Sequence, residues 1–370
     1  MKTQKASSNR LIPGLTLVLL SAMAMPSISG AIAGHDDDQG RPGSVWVVNR
    51  DKGQLAIFDA KSGELATPEP LSVGAGAHDI CISERAGKAY ITAEAINQIT
   101  TVDIKTLVRE AIPVGPLPHH IEPSHDGRTV YVSLDSHPLA PVPPGTARYA
   151  AINTEDNSVT YTTTSVNPLA RSHGPRPSFD GETVYVAHDT GNLLTAIDTT
   201  TTIPTIKFSI APISRAEEVI PTRFGNFLWV SARGDGTAKR IDLDTIDPGP
   251  PVIESVAVGV QPESVMLSPD ERTLVVSLRG TPASLTFVDT DTLNAETISI
   301  AGPNTFGDLA VMTHDGRFVY ATFDAGANGT GGVAVVHVRT RTVVDTWTFP
   351  TTGRPHGIWY STRKVKPVTN

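Results

Sequence analysis

An all-β fold, a seven-bladed β-propeller, is predicted by three observations. A short phrase returns seven times, the copies at the two ends are incomplete in complementary ways, and no long stretch has helical periodicity. The phrase is an apolar segment opening near Gly or Pro, a tight polar turn, a segment like Tyr-Val-Ser, a segment ending in Asp, and a Val/Ile/Thr-rich stretch. It is clearest at residues 129–133 (TVYVS), 183–187 (TVYVA), 227–231 (FLWVS), 273–277 (TLVVS) and 318–322 (FVYAT), and weaker at 44–48 and 88–92. The period is roughly 41–54 residues, the range in which four short strands build one blade.

In chain order, residues 1–33 read as an export signal. Lys2, Lys5 and Arg10 form a basic start, Leu11 to Met25 is apolar but broken by Pro13 and Gly14, and Ala31-Ile32-Ala33 suits cleavage. The apolar run is too short and broken for a spanning helix. The expected location is periplasmic or secreted, with no integral membrane segment after cleavage. Residues 34–43, rich in Asp, are expected to be a flexible acidic segment and 362–370 a tail. The formal charge of −8 disfavours nucleic acid as a partner. A monomer is expected.

Between these ends, 44–361 divides into blades. Residues 262–268 form an alternating first strand, 273–277 returns, 285–289 follows and 295–300 closes one unit. Asp126-Gly127, Asp180-Gly181 and Asp315-Gly316 supply tight hairpin turns. Asp198 and Asp289 begin Asp-x-x-Thr turns capped by their own side chains. The chain starts with a second-strand copy, 44–48, and finishes with an unpaired first-strand copy, 354–361. Pairing the C-terminal strand with the N-terminal blade closes the ring and removes its open edges. Cys81 is the only cysteine and alternates as a small buried hydrophobe.

The Tyr-Val-x-x copies, the Asp-x-x-Thr elements and the Gly-x-x-Pro-[His/Glu] openings resemble the YVTN family of seven-bladed propellers over residues 44–361. That superfamily includes lactonases, surface-layer proteins, haem- and copper-binding reductase domains and binding modules, so the resemblance implies fold before function.

In such a blade the start of the first strand and the end of the second share one face. The first-strand openings place His78, His119, His173 and His356 at one register, with Glu217, Glu263 and Asp308 in the other blades and His120 as an additional imidazole. The second-strand ends add His188, Arg50, Arg233 and Arg279. The metal candidates are therefore His78, His119, His120, His173, His188 and His356, with copper, zinc or iron as the ion. Pro118-His119-His120 is similar to a step in the propeller of nitrous-oxide reductases. This sequence has neither the cupredoxin cysteines nor the Asp usual before the paired histidines, so that activity is not expected. The anionic-ligand candidates are Arg50, Arg233, Arg279, Arg354, Glu217 and Glu263, since guanidinium forks recognise carboxylates and phosphates. Arg171 and Arg215 fall near the same mouth. The general arrangement is similar to that of haem-binding nitrite reductases, but no Cys-x-x-Cys-His occurs and covalent c-type haem is excluded. His125 and His314 belong to turns on the other face, and His337 to a strand interior. Two loops, 136–145 and 325–332, enlarge the mouth.

The expected function is an exported propeller binding a metal or an anionic cofactor at this mouth, as an accessory to a redox system. The alternatives are a non-catalytic scaffold for a ligand or periplasmic protein, and a lactonase-like hydrolase. Metal content separates the first from the second.

Overall fold

A computed structural model describes residues 41–134, 148–167, 169–246, 249–326 and 329–365. The proposed signal segment, most of the acidic segment and the 136–145 loop lie outside them.

Among the described residues the chain forms seven four-stranded antiparallel sheets. The innermost strands are, in order, Pro355–Ser361 of blade 1, Ala77–Ser83, Ile121–Pro123, Ser172–Pro177, Ala216–Pro221, Pro262–Leu267 and Phe306–Met312 of blades 2 to 7. Blade 1 is composite. Its innermost strand comes from the C-terminus and pairs with Ser44–Asn49, with Trp46 opposite Trp359 and Ser44 opposite Ser361. The expected closure is the observed one. The tail beyond it is partly docked: Val365 is buried, and Ser44 Oγ donates to the Arg363 carbonyl at 2.7 Å.

The strands are apolar on both sides because each sheet is covered by two neighbours. Along Ser44–Asn49, Val45 and Val47 pack with Tyr320, Val333 and Val335 of blade 7, while Trp46 and Val48 pack with Ile80 and Ile91 of blade 2. The period of two thus serves two interfaces with one strand. The polar turns behave as their sequence predicts: Asp289 Oδ1 accepts from the Thr292 amide at 2.7 Å, and Thr200 N donates to Asp198 Oδ1 at 2.9 Å.

One irregularity recurs. In blade 2 Ala77 faces Ala93, but Ile80 faces Ile91, so His78 and Asp79 together oppose Thr92. The same two-against-one step lies between Ser172 and Pro175, Ala216 and Val219, Pro262 and Val265, and Gly307 and Ala310. Each is a β-bulge, which turns side chains out of the strand's alternation. Here it turns them towards the axis.

Candidate functional site at the channel mouth

The bulges build the mouth. Their first residues are His356, His78, His119, His173, Glu217, Glu263 and Asp308 for blades 1 to 7, so four consecutive blades offer imidazole and the next three offer carboxylate. A bulge leaves an amide without a ladder partner, and the last residue of the Tyr-Val-x-Ser/Thr phrase supplies one. Thr92, Ser133, Ser231 and Ser277 hydroxyls accept from the amides of Asp79, His120, Glu218 and Ser264 at 2.9, 3.0, 3.0 and 3.0 Å. The repeated phrase therefore supports the site as well as the fold.

The structure brings five histidines together. Ring centroids are 3.9 Å apart for His78–His119, 3.9 Å for His78–His356, 4.5 Å for His119–His120 and 4.3 Å for His120–His173. Two sets have ligand atoms all within 4.8 Å of one another: His78, His119 and His120, and His120, His173 and Glu263. His188 is not brought into either. It is buried within blade 4, with Nε2 3.2 Å from Thr195 Oγ1.

The two sets differ in charge state. Burial, reinforced by neighbouring imidazoles, holds His78 and His119 well below the usual histidine range, and His120 falls to about 3. All three are neutral imidazoles. His120 Nδ1 lies 3.0 Å from Asp79 Oδ2 and 3.1 Å from Glu218 Oε1. Facing two acceptors, that nitrogen carries the proton, and the buried Nε2 is left without a hydrogen-bond partner. His78 and His119 each also have a buried Nδ1 without one. His173 is different. Burial alone would depress it, but Glu217, 2.8 Å from Nε2, outweighs burial and holds it protonated. Its Nδ1 bonds the Glu217 carbonyl at 2.8 Å, so both nitrogens are occupied.

The arginines divide likewise. Arg233 bridges Glu217, at 2.7 Å, and Glu263. Arg50 bonds Glu94 at 2.8 Å, and Glu94 also lies 3.5 Å from His119 Nε2. Arg215 is 3.6 Å from Glu217. Arg279 stands 3.8 Å from Asp308, and Arg354 Nε is buried without a hydrogen-bond partner. Arg171 is buried near the same rim. His125 and His314 are exposed at turns that follow the innermost strands, and His337 is buried against Phe318.

Below the mouth, a cavity of about 230 Å³ runs along the axis from Asp79, His120 and Glu218 to Met312 and His314. Arg176 crosses it, 2.6 Å from Glu122 and 3.3 Å from Glu218. Burial lifts both Asp79 and Glu122 to about 7. Gly174 leaves room for the Glu218 carboxylate that His120 meets. A Cβ there would lie 3.3 Å from the Glu218 carboxylate and 3.0 Å from the Glu217 carbonyl. The sequence reading missed Asp79, Glu122, Arg176 and Glu218. Strict alternation turns them away from the axis, and the Ser/Thr opposite each bulge was the signal available.

No protein-family description and no curated protein matches the chain. Solved structures do resemble it. The periplasmic gluconolactonase PpgL of Pseudomonas aeruginosa superposes with a TM-score of 0.65 at 14% identity, over 86% of this chain and 99% of that one. Apo AztD from Citrobacter koseri gives 0.60 at 12% identity, over 87% and 99%. The dihydro-heme d1 dehydrogenase NirN, in complex with DHE, gives 0.59 at 14% identity, over 86% and 75%. Likeness at this identity establishes the architecture: the chain is a seven-bladed β-propeller similar to lactonase propellers.

Proposed function

We propose that the protein is an exported propeller of the YVTN type that binds a transition-metal ion through His78, His119 and His120. One observation carries this reading: three neutral imidazoles from two adjacent blades, His78 and His120 buried and His119 partly so, have ligand atoms within 4.8 Å of one another. A metal–nitrogen bond of about 2.0–2.1 Å sets tetrahedral ligands roughly 3.4 Å apart, so small ring movements suffice to close the set on an ion. His120 has the outer support that ligating histidines have, with its second nitrogen held by carboxylates. Imidazole ligands suit zinc, copper and iron. The basic-then-apolar start of the sequence and the periplasmic description of PpgL support export to the periplasm.

The test is elemental analysis of protein purified without an affinity tag, followed by calorimetric titration with zinc and copper. About one equivalent is expected, falling sharply in His78→Ala and His119→Ala. Metal-free protein whose thermal stability ignores added zinc and copper would reject the reading.

A further inference from the structure

Where blade 7 meets blade 1, two guanidiniums stand beside the histidines with too few partners. Arg354 is tied to Arg50 through the backbone, the Arg50 amide donating to the Arg354 carbonyl at 2.9 Å. Arg279 reaches the same place from blade 6, its Nε 3.8 Å from Asp308 Oδ1. A charge-assisted bond to a carboxylate is about 2.7–2.9 Å, so this pair is not closed. Arg50 is engaged by Glu94, and exposed Asp51 accepts from the Arg354 backbone amide rather than its guanidinium. The Arg354 Nε is buried and has no hydrogen-bond partner. Beside them His356 is 1% exposed, with Nδ1 also lacking a partner, and its Nε2 lies 3.3 Å from Asp308. The Asp51 carboxylate also attracts Arg354 but is exposed and screened by solvent, so within the mouth Arg279 and Arg354 carry two positive charges against the one of Asp308. The remainder matches a single carboxylate. A dianionic oxyanion would overshoot it and face Glu217, Glu263 and Asp308 as well.

The His356 and His78 rings meet at 46° with centroids 3.9 Å apart, so whatever sits on these arginines borders the proposed metal site. We propose that Arg279 and Arg354 hold a small monocarboxylate that enters with the metal and completes its coordination beside His78, His119 and His120. The inference rests on the metal reading for its linkage. Metal and anion then each raise the other's affinity by the same factor.

The experiment measures zinc affinity by calorimetry in chloride, acetate and sulfate buffers of equal ionic strength. Acetate is expected to tighten zinc binding about tenfold, a typical coupling between two sites. In Arg279→Gln and Arg354→Gln the gain should vanish. Arg279 is partly exposed, so its variant carries the test even where Arg354→Gln, at the ring closure, fails to fold. Equal zinc affinity in chloride and acetate overturns the anion site and leaves the metal site standing. An equal gain from sulfate overturns the choice of a carboxylate. Zinc binding in no buffer ends the metal reading and the linkage with it. The arginine site is then judged by an acetate-dependent rise in melting temperature that Arg279→Gln must abolish.

Discussion

His120 joins the two halves of the site. Its Nε2 faces the imidazole cluster while Nδ1 is held between Asp79 and Glu218. As an added histidine outside the repeat's requirement, it reads from sequence as a rim residue of small structural consequence, but it is 2% exposed. Replacing it with Ala therefore has two effects. Metal content should fall, and two buried carboxylates lose their common donor, which costs about 1–3 kcal/mol. His120→Asn separates the effects, because its amide can donate near the Nδ1 position but offers nothing at Nε2. Asn is expected to recover most of the lost unfolding free energy without recovering metal. Parental metal content in His120→Asn would remove His120 from the ligand set.

At the scale of strands, closure and bulges together explain what could be read in advance. The orphan copies at 44–48 and 354–361 made the composite blade legible, because an unpaired strand needs a partner and only one was left. The first residue of each bulge was legible too, since seven openings align at one register. The second residue was not. A bulge breaks the period of two, so Asp79 and Glu218 face the axis where alternation would turn them away. Nor does sequence distance reveal that His173 and Glu217, on adjacent blades, neutralise each other. The closing strand yields a direct prediction. Removing residues from Arg354 onward uncovers Trp46 and Val47, takes away His356 and leaves blade 1 with three strands. Burial of one large apolar side chain is worth about 1.5–3 kcal/mol, and this strand buries Ile358 and Tyr360 besides its shielding of blade 1. The truncated protein should unfold many degrees lower or aggregate. A thermal denaturation curve matching the full chain would refute the role of the strand in closure.

Taken whole, the molecule keeps a ring of uncharged imidazoles inside an acidic protein, and its stability should record that in pH. Burial, with neighbouring charges, depresses His78, His119 and His356 well below 6.5, and takes His120 and His188 to about 3. Between those values and 6.5 the unfolded chain binds more protons than the folded one, so stability rises with pH and is lost as pH falls below 6.5. Asp79 and Glu122, lifted to about 7, act in the opposite sense between about 4 and 7, because the folded state holds their protons. Burial raises Asp189 and Asp308 as well, but His125, Glu217 held at about 2 and lowered turn aspartates such as Asp103 and Asp289 add to the histidines' side, so the balance is a net loss on acidification. His173 governs the alkaline side: its folded value is raised to about 9, so its contribution is complete below 6.5 and disappears as pH climbs through 9. Metal-free protein should therefore be most stable near neutrality, and urea midpoints measured from pH 4.5 to 9.5 should trace a dome. The fold already keeps His78, His119 and His120 neutral, so saturating zinc should lift the dome nearly evenly, and its most acidic end least. At a hundredfold excess over Kd the gain near neutrality is about 2.7 kcal/mol, and it shrinks where protons compete for the ligands. An acidic limb that stays flat in metal-free protein would mean that these imidazoles are not held neutral by the fold.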